Sequence, residues 1–286
     1  MKHYLSLCAI LKNEATYLEE WLRFYRQIGV EHFFLFDNGS TDGTIDLLAR
    51  WRKAGWATTY QTHDSAAQVG IYRHCLNAHA KDSHWIIFVD IDEFFYSPRQ
   101  HDLRVLLQDY EEEAGVVANW LMFGASGHQC RPTGLTTLNF TRRCEVDLCT
   151  FEPALLKEPH LEPKDPQSYH KVCEHVKSII NTRDVLDIGP SPHEFRYRPG
   201  RLPVNANHLP ISGPFSDDLS AVQSLRINHY FSRSWEEFSI KLNRGRADTG
   251  EHYDPQEMIR RNLLFDQVID EEIFPIARRV EAEMHA

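Results

Sequence analysis

Short apolar runs alternate with longer amphipathic segments along the first 125 residues. Apolar runs of roughly four to eight residues, bounded by turn-forming residues, are typical of strands buried in a sheet. Five runs fit this description and predict strands at residues 4–11, 32–38, 57–62, 85–91 and 116–123.

The segments between these runs have the periodicity of helices. In the first, apolar residues recur at near-helical spacing and stop at Gly29, a residue type that often ends helices. In the second, the GSTDGT turn offers Ser40, Thr41 and Asp42 as candidate N-caps. Helices are therefore predicted from Asn13 or Glu14 to about Gly29, from this turn to about residue 53, over 66–81 and over 103–112.

The alternation of strand and helix favours an α/β fold with a Rossmann-like, mostly parallel central sheet flanked by helices. In such sheets, ligands bind at the carboxyl ends of the strands. Acidic side chains lie at three of these ends: Glu14 just after the first strand, Asp37 at the second and Asp90 at the fourth. Their convergence is the first indication of a functional site.

The rest of the chain is less regular. Residues 126–230 are rich in Pro, His, Arg and Gly, and strands are predicted only at 175–180 and 225–231. From Ser234 the sequence becomes helical, with Glu237 three residues on, the spacing of a capping box. A last helix is predicted from Asp254-Pro255 towards Ile269.

Composition narrows the classes of function. The chain has 286 residues, 42% of them hydrophobic, and a net charge of −10, so it lacks the basic footprint of a nucleic-acid-binding protein. Its six cysteines form no CxxC pair, and we expect reduced thiols, most of which pack in the interior. The N-terminal apolar stretch is too short for a signal peptide or a membrane span. We therefore expect a cytoplasmic protein and leave peripheral contact with the inner membrane face open.

The most informative stretch is HWIIFVDIDEFF at residues 84–95. Strand side chains alternate with period two, so Asp90 and Asp92 at the end of this strand point to one side. Two carboxylates on one side suit Mg²⁺ or Mn²⁺, which complete their coordination with water and a substrate diphosphate. The alternative is that these acids cap the next turn or pair with nearby arginines.

Two blocks, NEATYLEEWLRFYRQIGVEHFFLFDNGSTDGT and WIIFVDIDEFF, resemble the nucleotide-sugar glycosyltransferases of the A fold, in particular families 2 and 92. Later segments, NWLMFGASGH, HVKSII and INHYFSRSWEEFSIKLNRG, resemble further blocks of family 92. The resemblance implies one GT-A domain in three parts: a nucleotide-sugar-binding half at 1–125, an irregular acceptor and catalytic lobe at 126–233, and C-terminal helices at 234–286.

The resemblance also implies roles for individual residues. Leu11, Glu14 and Asp37 would surround the base and ribose, Arg73 would help to hold the nucleotide, Asp90 would contact ribose or metal, and Asp92 would bind the metal directly.

Four further residues are candidates. His229 in INHYF is a candidate metal or diphosphate ligand, because imidazole suits Mn²⁺. Lys241 and Arg244 lie three residues apart on a predicted helix and share a face, where they could neutralise a diphosphate leaving group. The alternatives are a packed histidine and a solvated basic face. His193 is a candidate contact to donor or acceptor.

The expected activity is the transfer of a sugar from a nucleotide diphosphate sugar to a glycan or lipid-linked acceptor, with inversion at the anomeric carbon. The resemblance to the family favours a UDP-sugar as the donor. An acidic residue would serve as the general base. Spacing does not choose among the six acids considered, of which Glu174 and Glu194 lie nearest the family blocks: Glu145, Asp147, Glu152, Glu174, Asp187 and Glu194.

Three other functions compete with this one. A non-catalytic nucleotide-sugar-binding protein of the same fold stays open. A DxD phosphohydrolase is disfavoured, because its motif is expected near the N-terminus rather than after the fourth strand. A nucleotidyltransferase is disfavoured, because LKNEAT is not a glycine-rich phosphate loop.

Overall fold

The protein is described here from a computed structural model, which covers residues 2–63, 68–145, 172–244 and 254–286. Within these residues the strands are β1 His3–Leu11, β2 His32–Asp37, β3 Ala57–Gln61, β4 Ser83–Phe88, β5 Glu93–Tyr96, β6 Gly115–Met122, β7 Arg142–Arg143, β8 Val176–Asn181, β9 Val185–Ile188, β10 Phe195–Tyr197, β11 Arg226–His229 and β12 Val268–Ile269.

The α-helices described in the same residues are α1 Leu18–Gln27, α2 Thr44–Lys53, α3 Gln68–His79, α4 Leu103–Leu106, α5 Thr136–Asn139, α6 Trp235–Arg244, α7 Pro255–Leu264 and α8 Phe274–His285. Two 3₁₀ helices, Leu107–Tyr110 and Leu219–Gln223, accompany them.

Eight strands form the central sheet, in the order β3-β2-β1-β4-β8-β6-β11-β5. The β1–β2, β2–β3, β1–β4 and β6–β11 neighbours run parallel, whereas β8 runs antiparallel to both β4 and β6, and β5 runs antiparallel to β11. The α/β fold with a mostly parallel central sheet is therefore confirmed.

The two faces of the sheet carry separate apolar layers. Strand β1 shows the division, because Leu7 and Ala9 join the larger cluster with Trp21 of α1, while Cys8 joins the other cluster with Tyr72 of α3. All five residues are fully buried. Burial of a large apolar side chain is worth about 1.5–3 kcal/mol, so these layers hold the strand ends in fixed positions.

Several predicted features appear as expected. Gly29 follows α1 with a φ of +102°, which favours glycine. The capping box is present at α6, where the Ser234 amide donates to Glu237 Oε2 at 3.1 Å and the Glu237 amide donates to Ser234 Oγ at 3.3 Å. The helix predicted over 103–112 is instead divided into α4 and a 3₁₀ turn.

The middle of the chain contributes directly to the central sheet. Strand β8 lies between β4 and β6, and β11 lies between β6 and β5. The strand β5 was not predicted, because it follows β4 after a turn of only a few residues and the sequence reads as one apolar run. The described helices include none that is both long and apolar enough to cross a membrane.

Candidate active site

Residues 90–93, called the acidic turn below, comprise the end of the β4–β5 connection and Glu93, the first residue of β5. Helix α1 fixes their backbone, because Trp21 Nε1 donates to the carbonyl oxygens of Asp90 and Glu93 at 3.2 and 3.1 Å. The Tyr25 hydroxyl donates to the same Glu93 carbonyl at 3.0 Å. Both aromatic residues are fully buried. These hydrogen bonds therefore fix the backbone of the acidic turn at the carboxyl end of β4.

Asp90 is held by three protein donors. Gln68 Nε2 lies 2.5 Å from Asp90 Oδ1, and the Tyr72 hydroxyl lies 3.4 Å from the same oxygen. Lys177 Nζ donates to Oδ2 at 2.9 Å. Since both carboxylate oxygens have donors, this side chain has one preferred orientation, with about a third of its surface left exposed.

Lys177 is a buried cation inside the sheet. The β4–β8 register pairs Ile87 with Ile179, and its continuation places Lys177 beside Val89, just before the acidic turn. The lysine side chain is 0% exposed, and its ammonium lies 3.5 Å from Glu93 Oε2 as well as 2.9 Å from Asp90. Burial would lower the pKa of Lys177, but Asp90 and Glu93 outweigh burial and raise it.

Glu93 shares this buried environment. Its Oε2 accepts the Asp90 amide at 2.9 Å, while its Oε1 is buried and has no hydrogen-bond partner. Burial raises the pKa of Glu93 to about 8, with Lys177 opposing the rise and Asp90 and Asp92 adding to it. A carboxyl group that holds its proton at neutral pH lowers the negative charge of the acidic turn.

The pH dependence of stability should reveal this proton. Glu93 titrates at about 8 in the folded chain and near 4.5 when unfolded, so the native state binds more protons between these values. Its stabilising contribution is complete below pH 4.5 and is lost as pH rises through about 8. The free energy of unfolding of wild type minus that of Glu93→Gln should therefore fall with rising pH, by up to about 1.4 kcal/mol per pH unit. Urea unfolding at about pH 5, 6.5 and 8, which spans this range, measures the difference. A constant difference would contradict the prediction.

Asp92 faces a different set of partners. Lys241 Nζ of α6 lies 2.7 Å from Asp92 Oδ2, and His229 Nε2 of β11 lies 3.5 Å from Oδ1. Burial would raise the pKa of Asp92, but Lys241, His229 and Arg233 outweigh burial and hold it well below the usual range. Asp92 is therefore an ionised carboxylate at neutral pH. Each aspartate of the motif pairs with a lysine.

His229 reaches Asp92 through strand pairing. The β5–β11 register places His229 opposite Glu93, one residue from Asp92. Burial lowers the pKa of His229, although the neighbouring Asp92 carboxylate opposes this. A neutral imidazole beside an ionised carboxylate is a donor pair that Mn²⁺ accepts.

Asp92 and His229 have nearly the spacing of two ligands of one divalent ion. Two adjacent ligands of one octahedral ion lie about 3 Å apart, which the 3.5 Å between Asp92 Oδ1 and His229 Nε2 approaches. Asp90 uses its oxygens on Lys177, Gln68 and Tyr72. Among the described residues, no group of three or more His, Cys, Asp or Glu side chains could hold a metal. The arrangement fits an ion with two protein ligands, Asp92 and His229, and the remaining positions filled by water or phosphate.

The loops after β1 and β2 interlock beside the acidic turn. Leu11 ends β1 and is buried in the core. Asp37 is 1% exposed, and its carboxylate accepts the Ser40 amide at 3.2 Å. The Glu14 amide donates to Thr44 Oγ1 at 2.9 Å. These bonds order the loops in which the resemblance places the base and ribose contacts.

Arg233 connects the Glu14 loop to the acidic turn. Its guanidinium stacks 3.4 Å over the Tyr17 ring, and its Nη1 lies 3.6 Å from Glu14 Oε2. The same guanidinium contributes to the low pKa of Asp92. Arg233 Nε is buried with no hydrogen-bond partner. Arg233 thus acts on both Glu14 and Asp92, the carboxylate that also pairs with His229 and Lys241.

Trp120 of β6 joins His193 to the same region. Its ring centroid lies 4.9 Å from the ring of His193 and 4.5 Å from the ring of His229. His193 Nδ1 lies 2.9 Å from the Val176 carbonyl oxygen, next to Lys177. Burial and the Lys177 charge hold the pKa of His193 well below its usual range, so its ring is neutral.

Four candidates lie elsewhere or are less defined. Arg73 forms its ion pair with Asp187 of β9, at 2.9 Å, in a surface depression away from Asp90. Glu194 packs its side chain against Gly189, where an added Cβ would lie 2.5 Å from Glu194 Cγ. The Glu174 carbonyl accepts the Ser216 amide at 2.8 Å. Arg244 ends α6, and its side chain lies outside the described residues.

Sequence reasoning missed Lys177, Gln68, Tyr72 and Arg233. A signal existed for Lys177, because a lysine inside the apolar strand HVKSII must meet a buried acid. Tyr72 precedes Arg73 on α3, and the helix turns about 100° per residue, so only one of the two can face Asp90. No local pattern marks Arg233, whose positive φ of 54° is a feature of the fold.

Comparison with known proteins identifies the family of the chain. The profile of Glycosyltransferase family 92 matches residues 3–212, which is more than half of the chain. The chain belongs to Glycosyltransferase family 92. The matched region includes the acidic turn and Lys177, whereas His229, Arg233 and Lys241 lie beyond its end.

Relatives within family 92 are distant. A family 92 protein from Oryza sativa subsp. japonica is 25% identical over 251 residues, covering 86% of this chain and 36% of that protein. One from Ricinus communis is 26% identical over 247 residues, covering 85% of this chain and 38% of that protein. The chain thus spans little more than a third of the length of these relatives.

Two further similarities are narrower. The galactan β-1,4-galactosyltransferase GALS2 from Arabidopsis thaliana is 26% identical over 105 residues, covering 33% of this chain and 20% of that protein. Among solved structures, S. aureus TarS 1-349 in complex with UDP has a TM-score of 0.37 and 17% identity, covering 63% of this chain and 47% of that chain.

Proposed function

We propose that this family 92 protein is a glycosyltransferase that moves a sugar from a nucleotide diphosphate sugar to a glycan or lipid-linked acceptor. The observation that carries the proposal is the environment of Asp92. An ionised carboxylate at the end of a central strand lies beside a neutral histidine, two cations and an ordered loop bearing Glu14. This arrangement matches the demands of a metal-bound diphosphate.

The contacts in the site indicate the proposed role of each side chain. Asp92 and His229 would hold Mn²⁺ or Mg²⁺, which supplies charge stabilisation for the departing nucleoside diphosphate. Lys241 and Arg233 add positive charge at the same place. Lys177, Gln68 and Tyr72 orient Asp90, whose exposed part is available to a ribose hydroxyl. Fixed charges of this kind act without reorganising during the reaction.

A carboxylate is proposed to activate the acceptor hydroxyl. A single in-line displacement inverts the anomeric centre and needs a carboxylate to take the proton of the acceptor hydroxyl. Glu194 and Glu174 keep this role as proposals, and Glu194 lies next to His193, which contacts Trp120 beside His229. The half-buried position of Glu194 favours it over an exposed acid such as Glu145.

The test is a donor screen with purified protein. UDP-galactose, UDP-glucose, UDP-N-acetylglucosamine and GDP-mannose are incubated with Mn²⁺ or with chelator, and released nucleotide and product anomer are measured. We expect nucleotide release from one UDP-sugar that depends on metal, and faster release when acceptor is added. Metal-dependent UDP binding without turnover of any donor and acceptor pair would instead indicate a non-catalytic binding protein. Phosphate release from aryl phosphates would indicate a phosphohydrolase.

Lys241 offers a sharper test of the leaving-group site. Lys241→Ala removes a cation 2.7 Å from Asp92, so the developing diphosphate charge is less well met. We expect kcat to fall by about 10- to 100-fold, with Lys241→Arg retaining more activity because it keeps the charge. Lys53→Ala, at an exposed position of α2, is the matched control. Unchanged kinetics in Lys241→Ala would remove this residue from the mechanism.

A further inference from the structure

Two buried thiols meet beside β6, the strand that pairs with β11, which carries His229. Cys144 follows β7 and Cys173 precedes β8, and their Sγ atoms lie 3.1 Å apart. Cys144 is 0% exposed and Cys173 is 1% exposed. Both are free cysteines in this structure. The sequence predicts mostly packing thiols, and no CxxC spacing joins these two.

The surroundings of the pair are apolar. Cys144 and Cys173 share a cluster with Met122, Val172, Leu264 and Phe265. Within this cluster the two thiols are hydrogen-bonding partners of each other. Cys173 lowers the pKa of the Cys144 thiol, which favours the thiolate that thiol–disulfide exchange requires.

Hydrogen bonds and strand pairing connect the two cysteines to the candidate active site. The Cys144 amide donates to the Met122 carbonyl at 2.8 Å, and Met122 pairs in register with His229. Cys173 lies four residues before Lys177 in the chain, and its carbonyl accepts a hydrogen bond from Asn119 Nδ2 at 3.2 Å. A covalent bond here would join the segment that supports His229 to the segment that leads into Lys177.

We propose that Cys144 and Cys173 form a disulfide when the protein meets a low-molecular-weight disulfide such as oxidised glutathione. The Cys144 thiolate attacks one glutathione sulfur and releases glutathione thiol, and the Cys173 thiol then displaces the second glutathione from the mixed disulfide. The two cysteines lose two protons and two electrons, and one oxidised glutathione becomes two thiols. The sulfurs need to approach by about 1 Å to reach bonding distance. This proposal does not depend on the proposed transferase activity.

The bond would close the segment 145–172 into a covalent loop. A closed loop restricts the unfolded chain and thereby stabilises the folded one. The oxidised protein should therefore melt at a higher temperature than the reduced protein, by on the order of 5 °C. The reduced Cys173→Ser variant should show no such rise after oxidant treatment.

The experiment is refolding of the reduced, unfolded full chain in glutathione redox buffers, so that burial of the thiols does not limit the reaction. Free thiols are then alkylated, and intact mass and proteolytic peptides are analysed. We expect a loss of about 2 Da and a dominant peptide linking Cys144 to Cys173. The linked peptide should disappear in Cys144→Ser and in Cys173→Ser.

Matched controls come from the other cysteines. Cys130→Ser, Cys149→Ser and Cys75→Ser should each keep the Cys144–Cys173 peptide, because Cys130 is exposed, Cys149 lies in the segment outside the described residues, and Cys75 pairs with Cys8 in a different cluster. Two results would overturn the proposal: alkylated Cys144 and Cys173 at every redox ratio, or a dominant link from either of them to Cys149.

Discussion

Asp92→Ala is expected to abolish metal-dependent nucleotide binding and to lower sugar transfer by at least about 100-fold. The side chain is the proposed anionic ligand, and it also orders His229 and Lys241 around the same position. Its loss leaves an imidazole and an ammonium with no carboxylate to bring a cation near them. Calorimetric titration of UDP with and without Mn²⁺ measures binding, and nucleotide release measures turnover.

The fold should survive this substitution. Trp21 and Tyr25 hold the acidic turn through backbone carbonyls of Asp90 and Glu93 rather than through the Asp92 side chain. Asp82→Ala is the matched control, since this acid pairs with Lys2 and His79 at the opposite end of β4. Mn²⁺-dependent UDP binding of wild-type strength in Asp92→Ala would rule out the metal assignment, provided that far-ultraviolet circular dichroism matches.

Lys177→Met is expected to lower the free energy of unfolding by about 3 kcal/mol, the scale for removing one partner of a buried ion pair. The substitution conserves much of the side-chain volume, so the loss reflects charge rather than a cavity. It leaves Asp90 without its 2.9 Å cation and Glu93 without the nearby positive charge that favours its ionised form. Urea unfolding at pH 7 measures the change as a shift in midpoint at constant m-value.

A double variant separates charge from packing. In Lys177→Met/Asp90→Asn the unpaired carboxylate is gone, so we expect the two substitutions to be non-additive, with at least about 1 kcal/mol recovered. Lys53→Met, at an exposed site, should change stability by no more than about 0.5 kcal/mol. Strict additivity of Lys177→Met and Asp90→Asn would show that the lysine acts through packing alone.

Local patterns predicted the parts of the fold that depend on local forces. The run WIIFV and the Ser234–Glu237 capping box act over a few residues, and the strand and the cap occur where they were expected. The period-two argument for Asp90 and Asp92 was wrong, because β4 ends at Phe88 and the two aspartates lie in the turn after it with different partners. The predicted strands at 175–180 and 225–231 exist as well, but nothing local indicated that they enter the central sheet.

Partners of the acidic turn could not be predicted in the same way. Lys177 reaches Asp90 across 87 residues of sequence, and Lys241 reaches Asp92 across 149. Strand order sets the first contact and the packing of α6 sets the second, and neither follows from periodicity. The same limit explains Arg73, whose residue type suited a nucleotide contact but whose helical face is directed to Asp187.

The insertion of β8 between β4 and β6 has a consequence for biosynthesis. When β1 to β6 have been translated, β4 and β6 do not yet have β8 between them. Asp90 and Glu93 do not yet have the Lys177 ammonium beside them. The nascent chain must keep that gap open until residues 176–181 emerge, and a fragment that stops before them would expose unpaired strand edges. Chaperone dependence and aggregation of such truncated chains should therefore fall once β8 has been translated, and fall again once β11 has joined β6 to β5.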